Sequence, residues 1–141
     1  MGSRPQKIRA ILVHEMRKLG LPIQAENEIR FTVLKAISSE SILAEANYYH
    51  STGQDLTLCR VIAIFDQQSN VHVLRKVPFQ KTDADVAAVT SWSVLDLADV
   101  DDDAQVDVIL QGDAYEDHWL EVVSAKDGFW KTIFSGLGYY P

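Results

Sequence analysis

From residue 29 onward, apolar side chains recur at every second position in eight short runs, 29–37, 42–50, 57–65, 71–77, 92–98, 106–111, 118–124 and 129–134, with turn-forming residues between them. A period of two puts alternate side chains on opposite faces of an extended strand, so this chain is built for sheets with one apolar face. The clearest run has Cys59, Val61, Ala63 and Phe65 on one side of Arg60 and Ile62. Cys59 therefore reads as a small buried hydrophobe and not as a nucleophile. Gln67 to Asn70 reads as one hairpin turn, and Asp127-Gly128 as a strong signal for another.

The first thirty residues follow a different period. Ile8, Ile11, Leu12, Met16 and Leu19 fall at helical spacing, Ser3 with Gln6 forms a capping-box pattern, and Gly20 followed by Pro22 is a stop. The reading is one helix over 4–19, with Lys7, His14, Arg17 and Lys18 on a solvated face. The eight strands group into a first meander, 29–77, and a second, 92–134. They are joined by 78–91, where Thr82-Asp83-Ala84-Asp85 reads as the cap of a short helix. Tyr49 and Tyr115 before the third strand of each set, and Asp66 and Asp127 at the last turn, form a loose internal repeat. A chain of 141 residues, 47% hydrophobic, is long enough for one sizeable core. The expected fold is mainly β (α+β), a single domain over 1–141. It has an N-terminal helix and about eight antiparallel strands in two four-stranded meanders, packed as a sandwich or barrel-like core with the helix over an end or edge.

The net charge of −7 is unevenly spread: Thr82 to Ala125 holds twelve acids and no Lys or Arg, leaving the rest near +5. Such a region repels phosphate backbones and anionic lipid, which argues against nucleic acid as a partner, and it attracts cations or a basic protein. With Cys59 as the single cysteine, no intrachain disulfide and no thiolate metal site can form. The N-terminus, MGSRPQKIRAILV, has too short an apolar run for a signal peptide or a membrane span, and no membrane insertion is expected. Met-Gly-Ser is also a common remnant of recombinant expression, which leaves a periplasmic or secreted protein stripped of its signal peptide open beside a cytoplasmic one.

The acidity peaks in the run from Asp99 to Asp107, with side chains Asp99, Asp101, Asp103 and Asp107 at the first, third, fifth and ninth places. That spacing lets one tight turn aim several oxygens at a point, and calcium takes six to eight oxygen ligands at about 2.3–2.6 Å. The alternative is a solvated acidic turn. LADVDDDAQVDVIL resembles the calcium loop of FG-GAP or VCBS-type β-propeller repeats, which joins the first two strands of a blade; here it joins the first two strands of the second meander. The resemblance implies a calcium ion held by the side chains of Asp99, Asp101, Asp103 and Asp107, with Gln105 adding its backbone carbonyl. Two family glycines are replaced, by Asp102 and Ala104, and the second of these positions usually takes positive φ, which costs alanine roughly 1–2 kcal/mol. A propeller needs at least four blades where this chain offers two at most. The aromatic, glycine-containing end FWKTIFSGLGYYP is also similar to that of tail domains in bacterial secreted proteins.

Other chemistry is thinner. His118 near Asp113, Tyr115, Glu116 and Asp117 resembles a general base with carboxylates, and reads more simply as a polar hairpin connection. His50, before Ser51-Thr52-Gly53, reads as a strand end, and Trp92, Trp119 and Trp130 as sheet packing. The functional expectation is a non-catalytic binding or scaffolding domain with a structural calcium loop, at the cell envelope or secreted. The second is an acidic immunity- or inhibitor-type protein that meets a basic partner, and the third a small hydrolase using His118 or His50.

Overall fold

A computed structural model describes residues 4–36, 41–83, 91–114, 117–126 and 129–139. Among the described residues the protein is mainly β, with one N-terminal α-helix and eight antiparallel strands in two four-stranded sheets. It divides into two compact units, Met1–Asp85 and Val86–Pro141. None of the described helices is long and apolar enough to cross a membrane.

In the first unit, α1 (Arg4–Lys18) buries Ile8, Leu12 and Met16, a stripe four residues apart that a helix aligns on one side. It ends where Gly20 turns to φ 99°: Leu21 N–H donates to Met16 O at 3.1 Å and Gly20 N–H to Arg17 O at 3.0 Å, a Schellman closure that uses the last free carbonyls. Ser3 of the expected capping box lies outside the described residues. The sheet runs in the order β1 (Arg30–Ala36), β2 (Ile42–Thr52), β3 (Asp55–Phe65), β4 (Val71–Asp83). The α1 stripe meets Ala44, Ala46 and Tyr48 of β2 and Cys59, Val61, Ala63 and Phe65 of β3 in one buried cluster. The helix thus lies across a face of this sheet and not over an end or edge. Two alanines on β2, with Cys59 and Ala63 on β3, keep that face low enough for Leu12 and Met16 to settle into it at core density. Burial pushes the Cys59 thiol up to about 11, the inert behaviour of a buried cysteine.

The β3–β4 turn is fastened by Asp66. Its Oδ1 accepts the N–H groups of Gln68 (2.9 Å) and Asn70 (2.8 Å), and its Oδ2 accepts Asn70 Nδ2 at 3.1 Å. Arg4 Nη2 donates to the Asp66 carbonyl at 2.8 Å and ties the start of α1 to this turn. On the helix's outer side Arg17 forms two bonds to Glu26, at 2.6 and 2.8 Å, and Lys18 pairs with Glu15 at 2.9 Å. Glu26 belongs to a 3₁₀ turn over Ile23–Glu28 that carries no amphipathic signal in the sequence.

The expected end of β4 at 77 is corrected: the strand continues to Asp83, so Thr82 and Asp83 are strand residues and not a helix cap, while 84–90 lie outside the described residues. A proline has no N–H for a ladder, and Pro78 lies inside this strand. β4 is an edge strand, and Pro78 sits where the register with β3 shifts between Leu58 and Arg60, so no bond is lost. The Phe79 N–H there donates to Leu19 O at the end of α1.

In the second unit the order is β5 (Ser91–Ala98), β6 (Asp107–Ala114), β7 (Asp117–Lys126), β8 (Phe129–Tyr139). Among the described residues its buried side chains are Val108, Leu110, Val122 and Val123 together with two polar ones, Asp107 and Ser124. Asp127-Gly128 lies outside the described residues, as does Tyr115, but Lys126 and Phe129 are in register on either side of the former pair.

Candidate metal centre

The acidic run connects β5 to β6, whose ladder ends on the pair Ala98 and Asp107. The loop between them is folded by its own carboxylates. Asp99 Oδ1 accepts Asp103 N–H at 3.2 Å and its Oδ2 accepts Ala104 N–H at 2.9 Å, while Asp107 Oδ2 reaches back to Val100 N–H at 3.1 Å. Asp103 Oδ1 accepts the Gln105 N–H at 3.0 Å. Short acceptors that bond backbone a few residues away favour turns of this kind. Two residues adopt the left-handed region, Asp102 at φ 58° and Ala104 at φ 66°. Asp tolerates it; Ala104 does so at a cost of about 1 kcal/mol, at the position where the resembled loop has glycine.

The fold brings one carboxylate oxygen from each of Asp99, Asp101, Asp103 and Asp107 within 4.8 Å of one another. Oxygens bound to a common ion at about 2.3–2.6 Å lie at most about 5 Å apart, so four ligands on one hard cation fit this spread. Asp99 and Asp103 are exposed, and Asp107 is fully buried (0%) at the head of β6. Its Oδ2 is occupied by Val100, but its Oδ1 is a buried oxygen with no hydrogen-bond partner. A buried ionised oxygen of this sort is costly unless a charge or donor meets it. At Asp103 the Gln105 N–H favours the ionised form. Desolvation, a hydrogen bond with Asp101 and the negative charges of Asp101 and Asp107 oppose it and prevail, holding this carboxyl above its ordinary value. The donor set is all hard oxygen, the chemistry of calcium or magnesium and not of zinc or copper. Gln105 enters the described contacts through its N–H; its carbonyl is the fifth ligand that the resemblance implies.

The expected grouping of His118 with Asp113 is seen, but on two strands, β6 and β7, and not in the hairpin connection that the sequence suggested. Asp113 and His118 are paired across β6 and β7, with His118 Nδ1 against Asp113 Oδ1, and Gln111 Nε2 donates to the same oxygen at 2.7 Å. Ser91 stands opposite Asp113 on β5, so the row reads Ser91, Asp113, His118. With strands about 4.8 Å apart, Ser91 and His118 are about 10 Å apart, and a serine activated directly by histidine is not assembled by this row. His50 Nε2 bonds Thr52 Oγ1 at 2.9 Å near the exposed end of β2. Trp119 lies against Gly112, meets Trp92 edge-on at 5.6 Å, and donates Nε1 to Glu121 Oε2 at 3.0 Å, an oxygen that Ser135 Oγ also reaches at 3.1 Å. Gln111, Glu121 and Ser135 were not singled out from the sequence. Gln111 and Asp113 are two apart on a strand, hence on one face, which is the signal that could have joined them.

Comparison with protein-family models, with curated proteins and with solved structures finds no match for this chain.

Proposed function

We propose that this protein is a non-catalytic binding or scaffolding domain whose loop 99–107 holds a structural calcium ion. The side chains of Asp99, Asp101, Asp103 and Asp107 and the backbone carbonyl of Gln105 would be the ligands. The observation that supports this most is Asp107: fully buried, contributing to a cluster of four carboxylates, and with Oδ1 unsatisfied by hydrogen bonds. A divalent cation supplies the positive charge that such a group lacks and gathers four mutually repelling carboxylates into one favourable arrangement. Calcium is preferred to magnesium because a flexible loop of carboxylates and carbonyl suits its larger, variable coordination, whereas magnesium demands near-octahedral geometry and keeps its water.

Calorimetric titration with calcium and with magnesium tests this reading. Calcium should bind with a dissociation constant of about 10⁻⁴ to 10⁻³ M, as in extracellular modules, and Asp107→Asn should abolish the heat. A chain that stays folded and binds neither cation would return the loop to a solvated acidic turn.

A second reading is supported by the charge of the second unit, which has eleven acids and two bases. A surface of that sign suits a basic protein partner by charge complementarity, with association that weakens steeply as salt is raised. Pull-down against basic proteins at low and high salt tests it.

A further inference from the structure

We propose that an ion in the acidic loop clasps the loop-side half of edge strand β5, Leu95–Ala98, so that metal occupancy sets whether this half stays paired with β6. The proposal rests on the metal reading of loop 99–107 and adds a consequence for the sheet. β5 is paired on one side only, by β6, and no residue along it is buried: its side chains are half-buried or exposed, with Leu95 49% exposed. β6 beside it buries Asp107, Val108 and Leu110. Apolar burial therefore secures β6 and leaves β5 with its backbone ladder and whatever fastens its ends.

The two ends are fastened differently. At the start of β5, Trp92 packs edge-on against Trp119 of β7. Between Val94 and Asp96 the register with β6 shifts, which interrupts the ladder and separates the tryptophan-held half from the loop-side half. At the far end the ladder closes on Ala98 opposite Asp107, immediately beside the acidic cluster. Asp99 leaves β5 and Asp107 opens β6, so an ion shared by these two carboxylates bridges the strands at the last rung. If Leu95–Ala98 peels away, Asp99 withdraws from Asp107 and the four-carboxylate site is dismantled. The ion thus binds the paired state better than the peeled one, and only such differential affinity shifts a conformational equilibrium. Mass action gives the size: at a calcium concentration ten times the dissociation constant, peeling becomes about tenfold rarer.

Amide hydrogen exchange on the full chain, in calcium chloride and in EGTA, reads this directly. The expected result is that the amides within Leu95–Ala98 that bond to β6, and the facing amides of Asp107–Ile109, exchange about tenfold more slowly with calcium at ten times its dissociation constant. Ser93 and strands β1–β4 should be unchanged. Asp103→Asn, at an exposed ligand position, should raise several-fold the calcium concentration that gives half of this protection. Calcium binding by calorimetry without slowing at Leu95–Ala98, or with equal slowing throughout the second sheet, overturns the clasp and leaves the metal reading intact. Absence of any calcium binding overturns the metal reading itself, and a half-protection concentration unmoved by Asp103→Asn overturns the clasp.

Discussion

The two units reach stability by different means. Met1–Asp85 carries eleven bases and nine acids, close to neutrality, and gathers its helix and small-residue sheet face into a continuous apolar cluster. Val86–Pro141 carries a charge of −9, and its buried set is a few β-branched and leucine side chains plus Asp107 and Ser124. What the second sheet has instead is polar organisation: Asp113 with His118 and Gln111, Glu121 with Trp119 and Ser135, and the carboxylate loop. Hydrophobic burial is non-directional and hard to switch, whereas a carboxylate cluster responds to cations and protons. On the proposed metal reading, the responsive part of the molecule is the second unit. All three tryptophans lie there, so their fluorescence reports it selectively.

The largest test of this contrast is in the first unit. Leu12→Ala opens a cavity between α1 and the sheet and should cost about 2–5 kcal/mol in urea unfolding, with the calcium dissociation constant unaltered. A changed calcium affinity would show that the two units do not respond separately. Next in size is Gly112→Ala, where a Cβ would collide with Cε2, Cζ2 and Nε1 of the Trp119 ring. The indole must move off the strand, and a loss of about 1–3 kcal/mol with an altered tryptophan spectrum is expected.

Calcium itself should act at a smaller scale. A few millimolar should add on the order of 1–2 kcal/mol to the tryptophan-monitored transition, and chelator should remove it. Superimposable transitions would leave the contrast without its metal component. Smaller again is Ala104→Gly. Relief of about 1 kcal/mol of left-handed strain is partly cancelled by the freedom glycine gives the unfolded chain, so a net gain of a few tenths of a kcal/mol is expected in the same assay.

The subtlest test uses the sign of proton linkage, which should be opposite in the two units. Asp66 is held below the usual carboxylate value by the Asn70 N–H, with help from the Asn70 side chain, the Gln68 N–H and His72. Its contribution is present above the unfolded value of about 3.9 and lost as pH falls through its lower folded value. Asp103, by contrast, is held above its ordinary value, so in chelator its loop is penalised above that raised folded value and relieved as pH falls toward about 4. Asp66→Asn should therefore flatten the acid loss seen by far-UV circular dichroism, and Asp103→Asn the acid gain seen by tryptophan. Two acid limbs of the same sign would falsify the assignment.

Much of this architecture was legible along the chain because it depends on local periodicity. The stripe Ile8, Leu12, Met16 and the alternation through Cys59, Val61, Ala63 and Phe65 specify a helix and a strand by the direction side chains take, whatever they later touch. The Asp spacing from 99 to 107 likewise marks a loop able to gather carboxylates. Other features had no local trace. The 3₁₀ turn at Ile23–Glu28 has no stripe to read, and the continuation of β4 through Pro78 to Asp83 depends on edge position, a property of strand order and not of the residue.

By itself, then, the sequence determined the helix, the eight strands and their grouping in fours, and the place of the acidic loop between the fifth and sixth, since each follows from side-chain period and turn chemistry over a few residues. Only the tertiary structure decided that α1 lies across a sheet face, that β5 is an edge strand with nothing buried, and that the carboxylate oxygens of Asp101 and Oδ1 of Asp107, among the several acids of the run, are withdrawn from water. Burial is set by what packs around a residue from distant parts of the chain, and it is burial that makes a carboxylate oxygen without a hydrogen-bond partner costly.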